Sequence, residues 1–236
     1  MRGKFLKALK AAFPLTLPVM AGYLILGIGF GLLLQSKGFG LPWAVVMSAG
    51  IYAGSLQFVA VDLLSSGAGL LSAALMTLMV NARHLFYALA MLVRYRNMGK
   101  AKPYLIFSLT DETFSLVSHI DPPGDVDRNS FYFAVSALDH CYWIMGSAIG
   151  SLFGTMVPLN TRGVDFSMTA LFLVIVTGNL VKKESRSPSV LGIACSALCL
   201  AVFGPDRFLI PAMALILAAL YLLRKRLEPE GKGEGE

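Results

Sequence analysis

Charged residues and cysteines are scarce in this chain. Of its 236 residues, 14% are charged and 56% are hydrophobic, whereas about a quarter of the residues of a soluble domain are charged. Together with a mean hydropathy of +0.68, this scarcity predicts an integral membrane protein. Cys141, Cys195 and Cys199 lie in apolar segments and lack the paired spacing of a zinc site. We therefore expect no disulfide framework, metal or other cofactor, and we interpret the thiols as small core hydrophobes.

Basic residues are missing from most of the apolar runs and collect between them. The net charge is +6, and basic clusters lie at residues 2–10, 94–102, 182–186 and 224–226. Such clusters at helix ends are typical of membrane proteins under the positive-inside rule, and they do not form the continuous basic face that would bind nucleic acid. We expect a lipid bilayer around the chain and no nucleic acid.

Long apolar runs recur along almost the whole chain, so the predicted fold class is all-α. Hydropathy predicts eight helices, near residues 13–35, 43–64, 68–93, 103–119, 131–156, 166–181, 187–203 and 208–223. Most of them approach the roughly 20 residues that cross a bilayer. We expect a polytopic helical bundle of seven to eight apolar segments. It comprises a basic cytoplasmic N-terminal segment (1–12), a single transmembrane domain (13–223) and a polar, disordered C-terminal tail (224–236).

The basic clusters do not fit eight simple crossings. Three apolar runs separate the first cluster from the second, and three more separate the second from the third. The positive-inside rule therefore leaves one crossing too many in each interval. Either a run in each interval is broken or re-entrant, or some clusters lie outside the cell. The polar residues 81–84 are one candidate for a break, which would have to line a cavity or be buried in protein.

Glycines repeat at intervals of four residues in several of the apolar runs. On a helix this spacing places them on one face, where small residues let two backbones approach closely. The sets are Gly27 and Gly31, then Gly50 and Gly54, then Gly146, Gly150 and Gly154. Tight helix packing is the plainer interpretation of each, without any role in a pathway.

The most polar segment inside an apolar run is Asn81–Tyr87, which contains Arg83 and His84. A charged residue at the centre of a spanning helix costs about 2.5–3.5 kcal/mol on insertion scales, and such residues usually mark a substrate or ion pathway. We therefore predict that this segment lines the functional site.

A second polar group lies in the fourth apolar run, at Thr110–Thr113. If that run is one helix, a polar stripe forms along it from Ser108, Glu112, Ser115 and His119. Alternatively the helix starts later, and the two carboxylates lie at the membrane interface. Both interpretations remain open at this point.

Charge balance suggests that protons take part. Arg83 is one positive charge against Asp111, Glu112 and Asp139. Either carboxylates or histidines carry protons, or a cationic group compensates, because like charges are disfavoured in a low dielectric. The candidates for proton coupling are Asp111, Glu112, Asp139 and His140.

These side chains also suit a small zwitterion. An amino acid needs a cation for its carboxylate, an acid for its ammonium group and an apolar pocket. Arg83 could bind the carboxylate and Asp111 or Glu112 the ammonium, with Phe58 and Phe86 beside the side chain. Gln57 serves equally well as an interhelical hydrogen-bonding residue. The predicted substrate or pathway residues are Ser55, Gln57, Phe58, Asn81, Arg83, His84, Tyr87, Asp111 and Glu112.

Four segments, taken together, resemble the AzlC/BrnF family. They are Ala53–Phe58, Asn81–Tyr87, Thr110–Thr113, and Gly163–Phe166 leading into Thr169–Phe172, and the match runs in order from Phe13 to about Leu223. The resemblance implies the large subunit of a multi-pass exporter in the bacterial inner membrane. Its implied substrates are leucine, isoleucine and valine, with methionine left open. It implies proton-motive-force drive, a small hydrophobic partner of the AzlD/BrnE type and about seven spanning helices, and it leaves a higher oligomer open.

Two other functions remain open from the sequence. Members of the family are often labelled as permease subunits of ATP-driven transporters, although this chain has no Walker A sequence. An intramembrane enzyme is a second alternative, but the chain has no H-E-x-x-H motif and no histidine that spacing would pair with Ser55. We expect a transporter and not an enzyme.

Overall fold

The fold is taken from a computed structural model, which describes residues 2–156, 183–204 and 208–227, with isolated helical positions at 173, 176–177 and 180–181. The described residues form helices and connecting turns, without a strand, so the all-α prediction is confirmed. The helices are α1 (Arg2–Ser36), α2 (Leu41–Gly50), α3 (Gly54–Ser65), α4 (Leu70–Met91), α5 (Lys102–Phe107), α6 (Asp111–His119), α7 (Arg128–Met156), α8 (Lys183–Phe203) and α9 (Leu209–Leu227).

The chain divides into two compact units, residues 1–168 and 169–236. In the first unit α7 packs along α1 and also contacts α2, α5 and α6. In the second unit α8 packs on α9. The predicted segment Gly163–Phe172 lies outside the described residues, as does most of the predicted helix at 166–181.

The α1–α7 contact is made through glycines. A Cβ atom at Gly146 would lie 2.8 Å from the carbonyl oxygen of Tyr23, and one at Gly27 would lie 3.0 Å from the amide nitrogen of Ser147. Added Cβ atoms at Gly31 and Gly150 would overlap the backbone of the facing helix. The predicted close approach of helix backbones is therefore confirmed for these four glycines. Gly154 differs, because an added Cβ there would meet the Gln35 side chain at 2.9 Å.

The glycine pair at 50 and 54 behaves differently. Gly54 faces the Trp143 ring, whose Cη2 atom would lie 3.2 Å from an added Cβ, whereas Gly50 has no neighbour within 4 Å. The packing prediction was thus wrong for Gly50. This glycine ends α2, where the chain leaves the helix.

Two apolar runs are interrupted, one in each of the intervals that the basic clusters define. In the second run α2 ends at Gly50 and α3 begins at Gly54, with Tyr52 between them at a positive φ of 43°. In the fourth run α5 ends at Phe107 and α6 begins at Asp111. Among the described residues each interval thus contains one broken run, which is the first of the two alternatives that the charges left open.

The positions of these breaks correct two predictions. The candidate break at residues 81–84 was wrong, because α4 runs unbroken from Leu70 to Met91 and that segment contains no glycine or proline to interrupt it. The single polar stripe beginning at Ser108 was also wrong. Ser108 follows the end of α5, and Thr110 caps a new helix by accepting a hydrogen bond from the amide of Thr113 at 3.3 Å.

Three described helices are long and apolar enough to cross a membrane: Gly3–Ser36, Leu70–Met91 and Arg186–Phe203. The two halves of the second run, Leu41–Gly50 and Gly54–Ser65, are too short to do so individually. The expected total of seven to eight segments therefore stays a prediction.

Cys141, Cys195 and Cys199 are free thiols. Cys195 and Cys199 are buried, but Cys141 is exposed, so its interpretation as a core hydrophobe was wrong. Among the described residues, no group of three His, Cys, Asp or Glu side chains is placed to hold a metal ion.

The glycine contact gives a stability prediction. Gly150→Ala should destabilise the protein by about 1–3 kcal/mol, the usual cost of overpacking. Gly22→Ala, on α1 with nothing within 4 Å of an added Cβ, should be neutral or slightly stabilising. Thermal unfolding of the two variants in the same detergent tests this. Equal melting temperatures for both variants would show that α1 and α7 are not in close backbone contact.

Candidate functional site

Arg83 lies where the two interrupted runs meet α4. Its Nη1 donates a hydrogen bond to Asp111 Oδ2, and its Nη2 donates one to Ser55 Oγ at 2.6 Å. Asp111 is the first residue of α6 and Ser55 is the second residue of α3. The two breaks therefore bring the N-terminal turns of two helices to one guanidinium.

Tyr87 completes this group, which we call the Arg83 cluster (Ser55, Arg83, Tyr87 and Asp111). Tyr87 lies one helical turn after Arg83 and donates to Asp111 Oδ1 at 2.8 Å, so both carboxylate oxygens of Asp111 accept hydrogen bonds. The Tyr87 ring stacks on Phe114, with 4.6 Å between the ring centroids. Sequence reasoning missed Phe114, although its i+3 spacing from Asp111 places it on the same face of α6.

The Arg83 cluster is only partly enclosed. The Arg83 and Asp111 side chains are 35% and 33% exposed, so the ion pair is open to exchange with a ligand. Three buried atoms of the same α4 segment have no hydrogen-bond partner among the described residues: Asn81 Oδ1, Arg83 Nε and His84 Nδ1. An unsatisfied buried polar atom costs about 1–3 kcal/mol, which is typical of a functional site.

Gln57 and Phe58 lie in a different environment. Gln57 is fully buried; it donates to Ser48 Oγ at 3.2 Å and accepts from Trp143 Nε1 at 2.8 Å. Phe58 is 1% exposed and packs edge-on against Phe30. No hydrogen bond among the described residues joins either of them to the Arg83 cluster, and the bonds of Gln57 fit the interhelical interpretation.

His140 satisfies the backbone at the first break. Its Nε2 is 3.1 Å from the carbonyl oxygen of Ser48, and its Nδ1 is 3.1 Å from the Tyr104 hydroxyl. Because a carbonyl oxygen only accepts, Nε2 carries the hydrogen and a neutral ring accepts from Tyr104 at Nδ1. The ring also stacks on Tyr52 with 4.1 Å between centroids. This geometry gives His140 a positioning role at the interruption between α2 and α3.

Glu112 and Asp139 are joined by a row of hydroxyl groups, which we call the hydroxyl chain. Tyr23 donates to Glu112 Oε2 at 2.9 Å and lies within hydrogen-bonding distance of Thr110 Oγ1. Thr110 Oγ1 is 3.0 Å from Thr113 Oγ1, which donates to Asp139 Oδ2 at 2.8 Å. Sequence reasoning missed Tyr23, because an aromatic residue in an apolar helix gives no sign of its partners.

Comparisons with known proteins find a family model and relatives that match more than half of this chain. The family model for the AzlC protein matches residues 18–157. A protein of Bacillus subtilis (strain 168) named branched-chain amino acid transport protein AzlC is 45% identical over 96% of this chain and 89% of its own length. An uncharacterized membrane protein of Helicobacter pylori (strain J99) is 45% identical over 95% of this chain and 98% of its own length.

A more distant relative is the inner membrane protein YgaZ of Escherichia coli (strain K12), which is 27% identical over 85% of this chain and 82% of its own length. No solved structure matches. Relatives described as membrane proteins, together with the long apolar helices, support a membrane protein. Because the family match covers more than half of the chain and the Bacillus subtilis relative is similar over nearly all of it, this chain belongs to the AzlC family.

Proposed function

We propose that this chain is the large subunit of a secondary exporter of branched-chain amino acids in the bacterial inner membrane. The proton motive force powers it, and a small hydrophobic subunit of the AzlD type works with it. The observation that carries this proposal is the partly exposed Arg83–Asp111 ion pair at the meeting of two interrupted helices. The name of the Bacillus subtilis relative supports the substrate class.

An ion pair of this kind is a receptor for a zwitterion. The substrate carboxylate replaces Asp111 on the Arg83 guanidinium, and the substrate ammonium group replaces Arg83 on Asp111. Two charge-assisted pairs then form where one existed, so neither protein charge is left unpaired. The Ser55 hydroxyl and the N-terminus of α3, which has no side-chain cap, favour an anionic group at this position. Broken helices in transporters present their N-termini to substrate carboxylates in the same way.

The apolar part of the substrate lies against the Tyr87–Phe114 ring pair in this proposal. A hydrophobic wall discriminates weakly between similar aliphatic groups, since one methylene is worth about 1–3 kcal/mol. Leucine, isoleucine and valine therefore bind at the same site, and the methionine side chain also fits against this ring pair.

Export and its energy source are tested in cells loaded with a valine-containing dipeptide. Cells that contain this chain and the small subunit should release valine faster than cells lacking either, because the proposed transporter has two components. An uncoupler should stop the release. ATP depletion at a maintained proton gradient should leave it unchanged. Release that survives the uncoupler and stops on ATP depletion would favour an ATP-driven permease instead.

The Arg83 cluster gives a sharper prediction. Arg83→Ala should lower leucine transport by about 10–100-fold, since a hydrogen bond to a charged group contributes about 1.5–3 kcal/mol. Arg83→Lys should restore little, because lysine lacks the fork that reaches Asp111 and Ser55 together. Radiolabelled leucine exchange in vesicles, with the amount of inserted protein measured, checks both.

The matched control is Arg96→Ala, which removes an exposed arginine outside the Arg83 cluster. Its exchange rate should equal that of the wild type. Wild-type exchange in Arg83→Ala would exclude a substrate-binding role for this residue.

A further inference from the structure

We propose that the hydroxyl chain is a relay that holds one transferable proton, and that Tyr23, Thr110 and Thr113 conduct it between Glu112 and Asp139. The use of this proton in transport rests on the function proposed above. The relay shares no residue with the Arg83 cluster. In this proposal Glu112 and Asp139 hold the proton, and Asp111 binds the substrate.

The relay is continuous and has two unlike ends. Each of its four contacts lies between 2.5 and 3.0 Å. Glu112 is the more exposed of the two carboxylates, whereas Asp139 is fully buried. Tyr23, Thr110 and Thr113 between them are also buried. A proton entering at the more exposed carboxylate thus has an unbroken path to a buried one.

Counting hydrogens shows that one proton is missing if both carboxylates are ionised. Tyr23, Thr110 and Thr113 carry one hydroxyl hydrogen each, and a carboxylate only accepts. Three hydrogens cannot fill four contacts, so two oxygen atoms would face each other without a hydrogen between them. One added proton, on either Glu112 or Asp139, gives every contact its donor.

The added proton can lie on either carboxylate, and a concerted shift converts one state into the other. When Glu112 is protonated it donates to Tyr23, and the hydroxyls donate in turn towards Asp139. In the shift, each group passes its hydrogen to the next oxygen, so Glu112 loses one O–H bond and Asp139 gains one. Every hydroxyl ends with one hydrogen, now pointing towards Glu112. The amide of Thr113 donates to Thr110 Oγ1 in both states.

The surroundings favour Asp139 as the resting place of the proton. Asp139 Oδ1 is buried without a hydrogen-bond partner among the described residues, a costly position for a carboxylate oxygen. Among the described residues, the groups that interact electrostatically with Asp139 are uncharged or acidic: Tyr23, Tyr52, Tyr104, Tyr142 and Glu112. His140, its neighbour on α7, is hydrogen-bonded elsewhere. Near Glu112 the charged groups are Asp111 and Arg83.

The relay and the Arg83 cluster share one helix end. Asp111 and Glu112 are consecutive residues in the first turn of α6, directly after the break at 108–110. A movement of α6 about this break changes the substrate contact of Asp111 and the proton contact of Glu112 together. This is the structural link that exchange of a proton for an amino acid requires.

Infrared spectroscopy of the purified full chain at neutral pH tests the resting state. The wild type should show the carbonyl stretch of a protonated carboxyl group, and Asp139→Asn should lose it. Thr113→Val, which keeps the side-chain shape but removes two contacts of the relay, should shift the band. The matched control is Tyr132→Phe, which removes a buried α7 hydroxyl bonded to Arg94 and Asp121 outside the relay and should leave the band unchanged.

Transport in vesicles containing the full chain and the small subunit tests the use of the proton. Efflux of labelled leucine driven by an imposed pH gradient should fall by about 100-fold in Thr113→Val and in Tyr23→Phe, as for loss of a proton-transfer group. Leucine–leucine exchange at equal pH should stay at the wild-type level, because it needs only the Arg83 cluster. Arg83→Ala should lower both activities by about 10–100-fold, and Tyr132→Phe should keep both at the wild-type level.

The outcomes separate the two proposals. No protonated carboxyl band in the wild type, or a band unchanged in Asp139→Asn and in Glu112→Gln, would overturn the relay. Full gradient-driven efflux in Thr113→Val and Tyr23→Phe would overturn it as well, while export itself would stand. If the wild-type vesicles show no gradient-driven efflux but the band depends on Asp139 and Thr113, proton-driven export fails and the proton-holding chain remains.

Discussion

The backbones of α1 and α7 meet at glycines, with no side chain between them. Gly146 lies against the carbonyl of Tyr23, and the Tyr23 ring packs edge-on against Trp143 with 5.5 Å between centroids. This close approach sets how near Tyr23 on α1 and Asp139 on α7 lie to α6, where Thr110, Glu112 and Thr113 are their partners. A wider separation of the two helices would pull the hydroxyl chain apart, since hydrogen bonds weaken steeply beyond their normal length. The polar centre of the unit therefore depends on the close contact of two helix backbones at their glycines.

Around this helix pair, two interruptions create the site. A membrane interior supplies no water to the backbone groups that a break releases, so the protein must satisfy them. His140 bonds the Ser48 carbonyl at the first break, and the Thr110 side chain caps α6 after the second. The helices that follow start at Gly54 and Asp111, and their first turns converge on Arg83 from α4. An unbroken helix in either run would place no N-terminus at this point.

The resulting polar residues fall into two functional groups that share the start of α6. Asp111 pairs with Arg83 in the proposed substrate site, and its neighbour Glu112 begins the hydroxyl chain that ends at Asp139. The excess of carboxylates over cations, seen already in the sequence, is thereby resolved. One carboxylate has a guanidinium partner, and the other two share a proton in our proposal. Adjacent residues on one movable helix end connect the two groups.

The sequence alone determined that this is a helical membrane protein and where its polar segments lie along the chain. Its composition predicts a helical membrane protein, and Arg83 and the pair at 111–112 stand out because charged residues are rare in apolar runs. The expected breaks followed from the charges, but their positions did not, since Asn81–His84 proved helical and Tyr52 and Leu109 lie in the interruptions. Only the tertiary structure decided that Arg83 pairs with Asp111, 28 residues away, and that Gln57 bonds Trp143. The tertiary structure also placed the Tyr23 hydroxyl in the hydroxyl chain that joins Glu112 to Asp139. Hydropathy and helix propensity report where a residue lies along one helix, whereas hydrogen-bond partners are fixed by distances of about 3 Å that exist only after the helices pack.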